Sequence, residues 1–156
     1  MIVDFSDLKE VGSKKKYTSE LDVDHINFRN RNIEIDGPLT VELDVLKTER
    51  SFVLSGELEG VLILQCSRCL KYFEYPIQVE ISDELSNEDI EDLHNINLFP
   101  IFERDIILEI PIKPLHDKSC KGLCPICGQD LNEEECDCEK ESIDPRLEKL
   151  KEFKQK

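Results

Sequence analysis

The stretch that organises the chain runs from Cys120 to Cys138 and reads CKGLCPICGQDLNEEECDC. It holds five of the seven cysteines of the 156-residue chain. Two thiolates spaced Cys-x2-Cys can reach one metal ion from a tight turn. A glycine after the second cysteine, here Gly128, lets the chain fold back so that N–H groups face sulfur. The spacing therefore predicts a zinc knuckle that a later pair of cysteines completes. The predicted four-thiolate site consists of Cys124, Cys127, Cys136 and Cys138.

The two remaining cysteines, Cys66 and Cys69, form a second Cys-x2-Cys far upstream. Before them, residues 39–65 alternate apolar and polar side chains and end in the run VLIL. After them, residues 73–81 again place an apolar side chain at every second position. Period-two patterning of this kind is typical of β-strands. The sequence thus predicts an antiparallel hairpin with both cysteines at an exposed tip, where ligand spacing favours metal binding over buried thiols.

The sequence patterns of the N-terminal part and of the middle of the chain predict secondary structure less strongly. Residues 1–16 predict a short strand or helix followed by a basic loop at Lys14–Lys16, and residues 21–24 and 33–36 alternate as half-buried strands do. Residues 82–97 are acidic and lack the ligand spacing of a calcium loop, which predicts an irregular connector.

Two helices are predicted. Apolar residues recur at helical spacing over 98–110, with Asn97 as a plausible cap and Pro111 just beyond the end. The second helix spans 142–156 and begins at Asp144-Pro145, a capping residue followed by a proline suited to the first turn.

The expected fold class is α+β: an antiparallel sheet or meander with a packed helix, a C-terminal zinc-knuckle segment and a short terminal helix. We expect residues 1–112 to form the β-rich domain and residues 113–156 to form the cysteine-rich segment with its terminal helix.

The ligand count suggests two metal ions. A structural zinc takes four ligands, and the seven cysteines reach eight ligands once His116 is added. The spacing of His116 and Cys120 lets both reach one metal, so that Cys66 and Cys69 would complete the second site. The alternative is a single zinc shared by both Cys-x2-Cys pairs, with the other cysteines unliganded. In either case all ligands are protein groups, which indicates structural rather than catalytic zinc.

The formal net charge of −15 argues against nucleic-acid binding by the surface as a whole, because such binding neutralises phosphates with Lys and Arg. It favours contact with proteins or cationic surfaces. The first residues lack a basic and then apolar leader, so we expect no secretory signal and a cytoplasmic location. In that reducing compartment seven cysteines favour metal binding over disulfides.

The order of motifs resembles the bacterial YceD family, the large ribosomal RNA subunit accumulation protein. The resemblance runs from about residue 50 onward. Its motifs are CSRCL (66–70), IILEIP (106–111), PLHD (114–117), CKGLCPICG (120–128), DLN (130–132) and DPRL (144–147). It implies a non-enzymatic cytoplasmic factor in the synthesis, processing or stability of large-subunit (23S) ribosomal RNA. Its partner would be a ribosomal RNA precursor or a ribosome-assembly protein.

Two other functions fit the residues. One is a zinc-stabilised protein-interaction module unrelated to ribosomes, and the other is a metal-dependent enzyme or redox switch. The candidate RNA contacts are Lys14–Lys16, Arg29, Arg31, Arg68 and the C-terminal lysines. If these cations converge in space, direct RNA contact is favoured, and if they scatter, a protein partner is favoured.

Overall fold

A computed structural model describes residues 1–28 and 31–138. Within these ranges the chain is mostly antiparallel sheet with one helix, which confirms the α+β class. The strands are β1 (Ile2–Val3), β2 (Lys14–Leu21), β3 (His25–Phe28), β4 (Arg31–Ile35), β5 (Leu39–Lys47), β6 (Ser51–Gln65), β7 (Tyr72–Ser86) and β8 (Ile96–Asn97), and the helix is α1 (Phe99–Glu109).

The long hairpin of β6 and β7 is the centre of the sheet and confirms the hairpin predicted around the first two cysteines. The two strands pair over their full length, from Ser51 opposite Ser86 to Gln65 opposite Tyr72. Side chains alternate between the two faces of a strand. The even-numbered residues of β6 therefore point to the core, where Leu54, Leu58 and Leu62 are fully buried.

Strands β2 to β5 lie along the second edge of β6, whereas β1 and β8 pair with each other in a separate two-stranded sheet. Strand β5 pairs with β2 and with the first part of β6, and β4 pairs with β3 and with the last part of β6. Strand β7 pairs with the opposite edge of β6. The partner of β6 changes from β5, whose pairing ends at Thr40 opposite Glu59, to β4, which begins at Ile35 opposite Leu62. The chain makes this change at the predicted Gly-Pro turn, where Gly37 has a φ of 80°.

The core covers one face of the sheet. Helix α1 packs against β7 and buries Phe102 and Ile106. The N-terminal segment adds Phe5, whose ring centroid lies 5.0 Å from that of Phe52. The opposite face of the sheet carries mostly exposed polar residues.

Several local predictions were wrong. Lys14–Lys16 are not a loop but the start of β2, held in place by pairing with β5. Residues 22–24 connect β2 and β3 rather than forming a strand, whereas residues 31–35 do form one. The acidic connector begins only after Ser86, because residues 82–86 pair with the first residues of β6.

Helix α1 lies within one residue of its predicted limits, but its cap differs. The N-cap residue is Leu98, which makes no side-chain capping bond, while Asn97 Oδ1 accepts the N–H of Phe99 at 3.1 Å. The predicted terminal helix at 142–156 lies outside the described residues. In the part of the chain that the structure covers, no helix has the length and hydropathy to cross a membrane.

Candidate metal centres

The first cluster forms at the tip of the β6–β7 hairpin. Cys66 follows the last residue of β6 and Cys69 lies in the turn, while the segment after α1 delivers His116 and Cys120. The sulfurs of Cys66 and Cys120 are 3.9 Å apart. His116 Nδ1 lies 3.4 Å from the sulfurs of both Cys66 and Cys69. All four potential ligand atoms lie within 4.8 Å of one another.

These separations match the edges of a zinc tetrahedron. With Zn–S near 2.3 Å and Zn–N near 2.1 Å, two sulfurs stand about 3.8 Å apart and a sulfur and a nitrogen about 3.6 Å apart. The three cysteines of the cluster are 0 to 4% exposed, although the hairpin tip was expected to be exposed. The expectation holds for Ser67, Arg68 and Leu70, which are exposed, but it was wrong for the two cysteines, because Leu115 and Leu123 pack against the cluster.

The second cluster is more exposed and is built from a short stretch of chain. The ligand atoms of Cys124, Cys127, Cys136 and Cys138 also lie within 4.8 Å of one another. Cys124 is buried, Cys127 is exposed and the last two are half-buried. The structure thus groups the eight residues into the two sets of four that the preferred ligand count proposed, and the two Cys-x2-Cys pairs do not share a cluster. The role of these residues as metal ligands stays a prediction.

The two Cys-x2-Cys turns have the same backbone geometry. In the hairpin turn, Leu70 N–H donates to Cys66 O at 3.0 Å and Cys66 N–H donates to Lys71 O at 2.8 Å. In the later turn, the same two bonds join Gly128 to Cys124 at 2.9 Å and Cys124 to Gln129 at 2.8 Å. Both turns therefore fold the chain back in the way that a zinc knuckle requires.

The residue after each second cysteine has a left-handed conformation. Gly128 has a φ of 77°, and the equivalent Leu70 has a φ of 62°. A glycine adopts this region freely, whereas a leucine does so at a cost of roughly 1–2 kcal/mol. The Cys-x2-Cys-Gly pattern identified the later turn fully, and nothing in the sequence indicated that Leu70 takes the same conformation.

Arg68 joins the hairpin tip to the cysteine-rich segment. Its Nη1 donates to Cys120 O at 2.7 Å and lies 3.4 Å from Lys118 O, and its own carbonyl accepts Leu123 N–H at 3.1 Å. A Cβ on Gly122 (φ 79°) would lie 3.1 Å from Arg68 O, so the close approach suits a glycine there. Sequence reasoning placed Arg68 among the RNA contacts and missed this structural role.

Asn132 supports the first cluster from outside the set of ligands. Its Nδ2 lies 3.5 Å from Cys120 Sγ, and its Oδ1 accepts Lys121 N–H at 2.8 Å. Such outer contacts orient metal ligands and tune the charge on sulfur. The only sign of Asn132 in the sequence was its place in the DLN motif of the family resemblance, and that motif did not indicate what Asn132 does.

Hydrogen bonding favours the thiolate form at one cysteine of each cluster. Burial raises the pKa of Cys66, but hydrogen bonds from the backbone N–H groups of Cys69, His116 and Arg68 and from the His116 side chain together lower it more, so that it falls to about 5. The backbone N–H groups of Cys127 and Ile126 lower the pKa of Cys124 to about 6. Because the thiolate is the form of cysteine that ligates metals, these donors suit a metal site.

The candidate RNA contacts do not converge in the described residues. Lys15 pairs with Asp7 at 2.9 Å and Lys16 with Glu42 at 2.6 Å. Lys16 is paired with Asp44 of β5, which is in turn paired with Ser55 of β6. Ser55 is thirteen residues from Arg68 along the hairpin. The ten steps of extended strand from Ser55 to Gln65 span roughly 33 Å at about 3.3 Å per residue, and Arg68 lies beyond them in the turn. Arg29, the side chain of Arg31 and the C-terminal lysines lie outside the described part of the chain.

Comparison with known proteins gives one family. The profile of the family described as large ribosomal RNA subunit accumulation protein YceD matches residues 54–154, which include both cysteine clusters and make up well over half of the chain. No solved structure matches the chain.

Three relatives illustrate the similarity. Large ribosomal RNA subunit accumulation protein YCED homolog 1, chloroplastic, of Arabidopsis thaliana is 26% identical over 146 residues, covering 69% of this chain and 46% of the plant protein. The uncharacterized protein YlbN of Bacillus subtilis is 25% identical, with 85% and 83% of the two chains covered. An uncharacterized protein of Mycobacterium tuberculosis is 29% identical, with 74% and 61% covered. The chain thus spans less than two thirds of the plant and mycobacterial relatives.

Proposed function

The chain belongs to the YceD family, and from that membership we propose that it supports the accumulation of large-subunit (23S) ribosomal RNA as a non-enzymatic factor stabilised by structural zinc. The observation that carries the proposal is the family match over residues 54–154. The name of the chloroplast relative describes that protein as a large ribosomal RNA subunit accumulation protein. We place the action of this chain in the cytoplasm, a reducing compartment in which its seven thiols stay available to metal.

In this proposal each cluster holds one zinc ion. The donor sets are three thiols with one imidazole and four thiols, which are the sets of closed structural zinc sites. Bound zinc would supply a rigid cross-link between its ligands. At the first cluster, Cys66 and Cys120 are 54 residues apart, so the cross-link would fasten the cysteine-rich segment of residues 113–156 to the β-rich domain of residues 1–112.

In both proposed sites four protein ligands fill the coordination positions of a tetrahedral zinc, so none is left for a substrate. Neither donor set includes a carboxylate. A catalytic zinc keeps an open position and works with a nearby acid or base. The donor chemistry therefore supports the structural role, and we propose that the protein is not an enzyme.

The distribution of cations favours action through a protein partner over direct binding of RNA. Among the described residues, Lys15 and Lys16 are engaged with acids, and Arg68 is engaged with backbone carbonyls at the opposite end of the sheet. A phosphate-binding surface needs a cluster of available cations on one face. We propose that the protein acts on ribosomal RNA through a ribosome-assembly protein with a basic surface.

Depletion of the protein from its native cells tests the proposed function. We expect the ratio of 23S to 16S ribosomal RNA and the free 50S peak in a sucrose gradient to fall, and the wild-type gene to restore both. The Glu88→Gln variant, altered at an exposed residue of the acidic connector, should restore them as well as wild type. An unchanged ratio after depletion would contradict the proposal.

A further inference from the structure

The face of the sheet that points away from the core carries acids in register across several strands. We call it the outer face. It consists of the odd-numbered positions 53–63 of β6 and the positions of β5 and β7 paired with them. Glu57 of β6 is directly opposite Glu42 of β5 on one side and Glu80 of β7 on the other. Like charges directly opposite one another destabilise a sheet, so this row weakens the fold.

Most of these acids have no cation beside them. Within residues 1–28 and 31–138, Glu42 pairs with Lys16 at 2.6 Å, but no ion pair involves Glu57, Glu59 or Glu80. Glu57 only accepts a hydrogen bond from the neutral Gln78 side chain at 3.3 Å. The outer face therefore presents unpaired negative charge to a partner.

Beside the acids the outer face has a shallow, open concavity whose lining is part apolar and part polar. It has a volume of about 540 Å³, and its apolar side chains, Pro38, Val61 and Pro76, lie beside the polar Thr40, Glu59 and Gln78. Val61 is directly opposite Pro76, at the point where β6 changes its neighbour from β5 to β4. Pro76 also removes an N–H group from β7, which makes this strand a poor edge for adding a further strand. A partner would thus contact the face rather than extend the sheet.

Apolar surface next to unpaired carboxylates suits the side chains of lysine and arginine. Their aliphatic stems pack on apolar groups while their charged ends reach carboxylates. We propose that the outer face is the docking surface for a lysine- and arginine-rich segment of a partner protein. The stems of one or two such side chains lie in the concavity between Val61 and Pro76, and the charged groups meet Glu57, Glu59 and Glu80.

This inference rests on the proposed function, because it names the class of partner through which the protein acts on ribosomal RNA. Proteins that bind RNA carry Lys and Arg to neutralise phosphates, so a segment of one is the expected ligand. RNA itself is disfavoured here, because the same glutamates repel phosphate.

The test is a titration of the full-length, zinc-loaded protein with a fluorescein-labelled synthetic peptide in which lysine alternates with valine. Binding is followed by anisotropy at physiological salt, and the contact surface of the wild-type protein is mapped by amide chemical shifts. We expect the largest shifts on the outer face around Glu59 and Val61. The triple variant E57Q/E59Q/E80Q should bind about tenfold more weakly, since each exposed pair contributes a few-fold.

The matched control is E88Q/D89N/E91Q, which also removes three negative charges, but from the exposed connector after β7. It should change the affinity by less than about twofold. Equal losses in both triple variants would show that only net charge matters and would overturn the docking surface, as would shifts that lie elsewhere on the wild-type protein. Binding of a labelled oligouridine to the outer face would also overturn it in favour of RNA.

The peptide experiment does not depend on ribosomal RNA levels. If it fails while depletion still lowers 23S ribosomal RNA, only the docking surface is wrong. If depletion leaves 23S ribosomal RNA unchanged, the proposed function is wrong whatever the peptide does.

Discussion

Replacing Arg68 by alanine separates its structural role from a role in RNA binding. The guanidinium donates to Cys120 O at 2.7 Å, and its second contact, to Lys118 O at 3.4 Å, is too long to contribute much. A hydrogen bond from a charged group contributes about 1.5–3 kcal/mol. Because the Arg68 side chain is partly exposed, we take the lower end and expect Arg68→Ala to lower the free energy of unfolding by about 1.5 kcal/mol.

The assay is urea unfolding of the zinc-saturated protein followed by circular dichroism. With an m-value near 2 kcal/mol/M, the midpoint of Arg68→Ala should fall by roughly 0.7 M. Zinc should also leave the first cluster more readily in a chelator competition, because the bond holds the ligand segment at Cys120. Arg68→Lys should retain part of the stability.

The matched control is Arg50→Ala, which removes the same charge from an exposed turn between β5 and β6. The free energy of unfolding of this control should stay within about 0.5 kcal/mol of the wild-type value. An Arg68→Ala midpoint equal to that of wild type would refute the reasoning and return Arg68 to the candidate RNA contacts.

Three further predictions concern the sheet and the N-terminal segment. Glu57→Gln relieves the like-charge row and should stabilise the protein by about 0.5 kcal/mol in urea unfolding; a loss of stability would contradict the strand register. Gly56→Ala places a Cβ 2.0 Å from a backbone carbonyl oxygen of β5 and should lower the free energy of unfolding by about 3 kcal/mol or more in urea unfolding. Gly60→Ala should lower it less, because the nearest atom to its Cβ, at 2.3 Å, is the end of the Leu39 side chain rather than backbone. The Ser6 hydroxyl and N–H lower the pKa of Asp4 from 3.8 to about 2, so the stabilisation is present above about pH 4 and is lost as the pH falls toward 2. Ser6→Ala should raise the pKa of Asp4 toward 3.8 in an NMR titration, and an unchanged pKa would contradict the assigned hydrogen bond.

The central hairpin and helix could be predicted because each carries its own periodic signal. The period-two runs on both sides of Cys66 and Cys69 indicate a hairpin without any knowledge of the rest of the chain. The helical spacing over 98–110 likewise gave α1 to within one residue at each end. The grouping of ligands followed from the coordination number of zinc and the spacing of His116 and Cys120.

The features that were missed depend on partners distant in sequence. Lys14–Lys16 form a strand because β5 pairs with them, and residues 82–86 form one because the start of β6 does. Tertiary pairing of this kind overrides a weak local preference.

The hairpin tip and its turn show the same limit. The two cysteines of the tip are buried because a segment about fifty residues later packs against them, and Leu70 is left-handed because the turn that closes on Cys66 requires it. None of these causes can be read from the local sequence.

The measurement that tests the central claim most directly is the zinc content of natively purified protein, combined with unfolding followed during chelation. Two clusters of four ligands each predict two zinc ions per chain, and their removal should unfold the cysteine-rich segment and destabilise the hairpin tip. One zinc per chain would contradict the two-site account. Removal of metal with the structure unchanged would contradict the structural role and favour a catalytic or redox function for the cysteines.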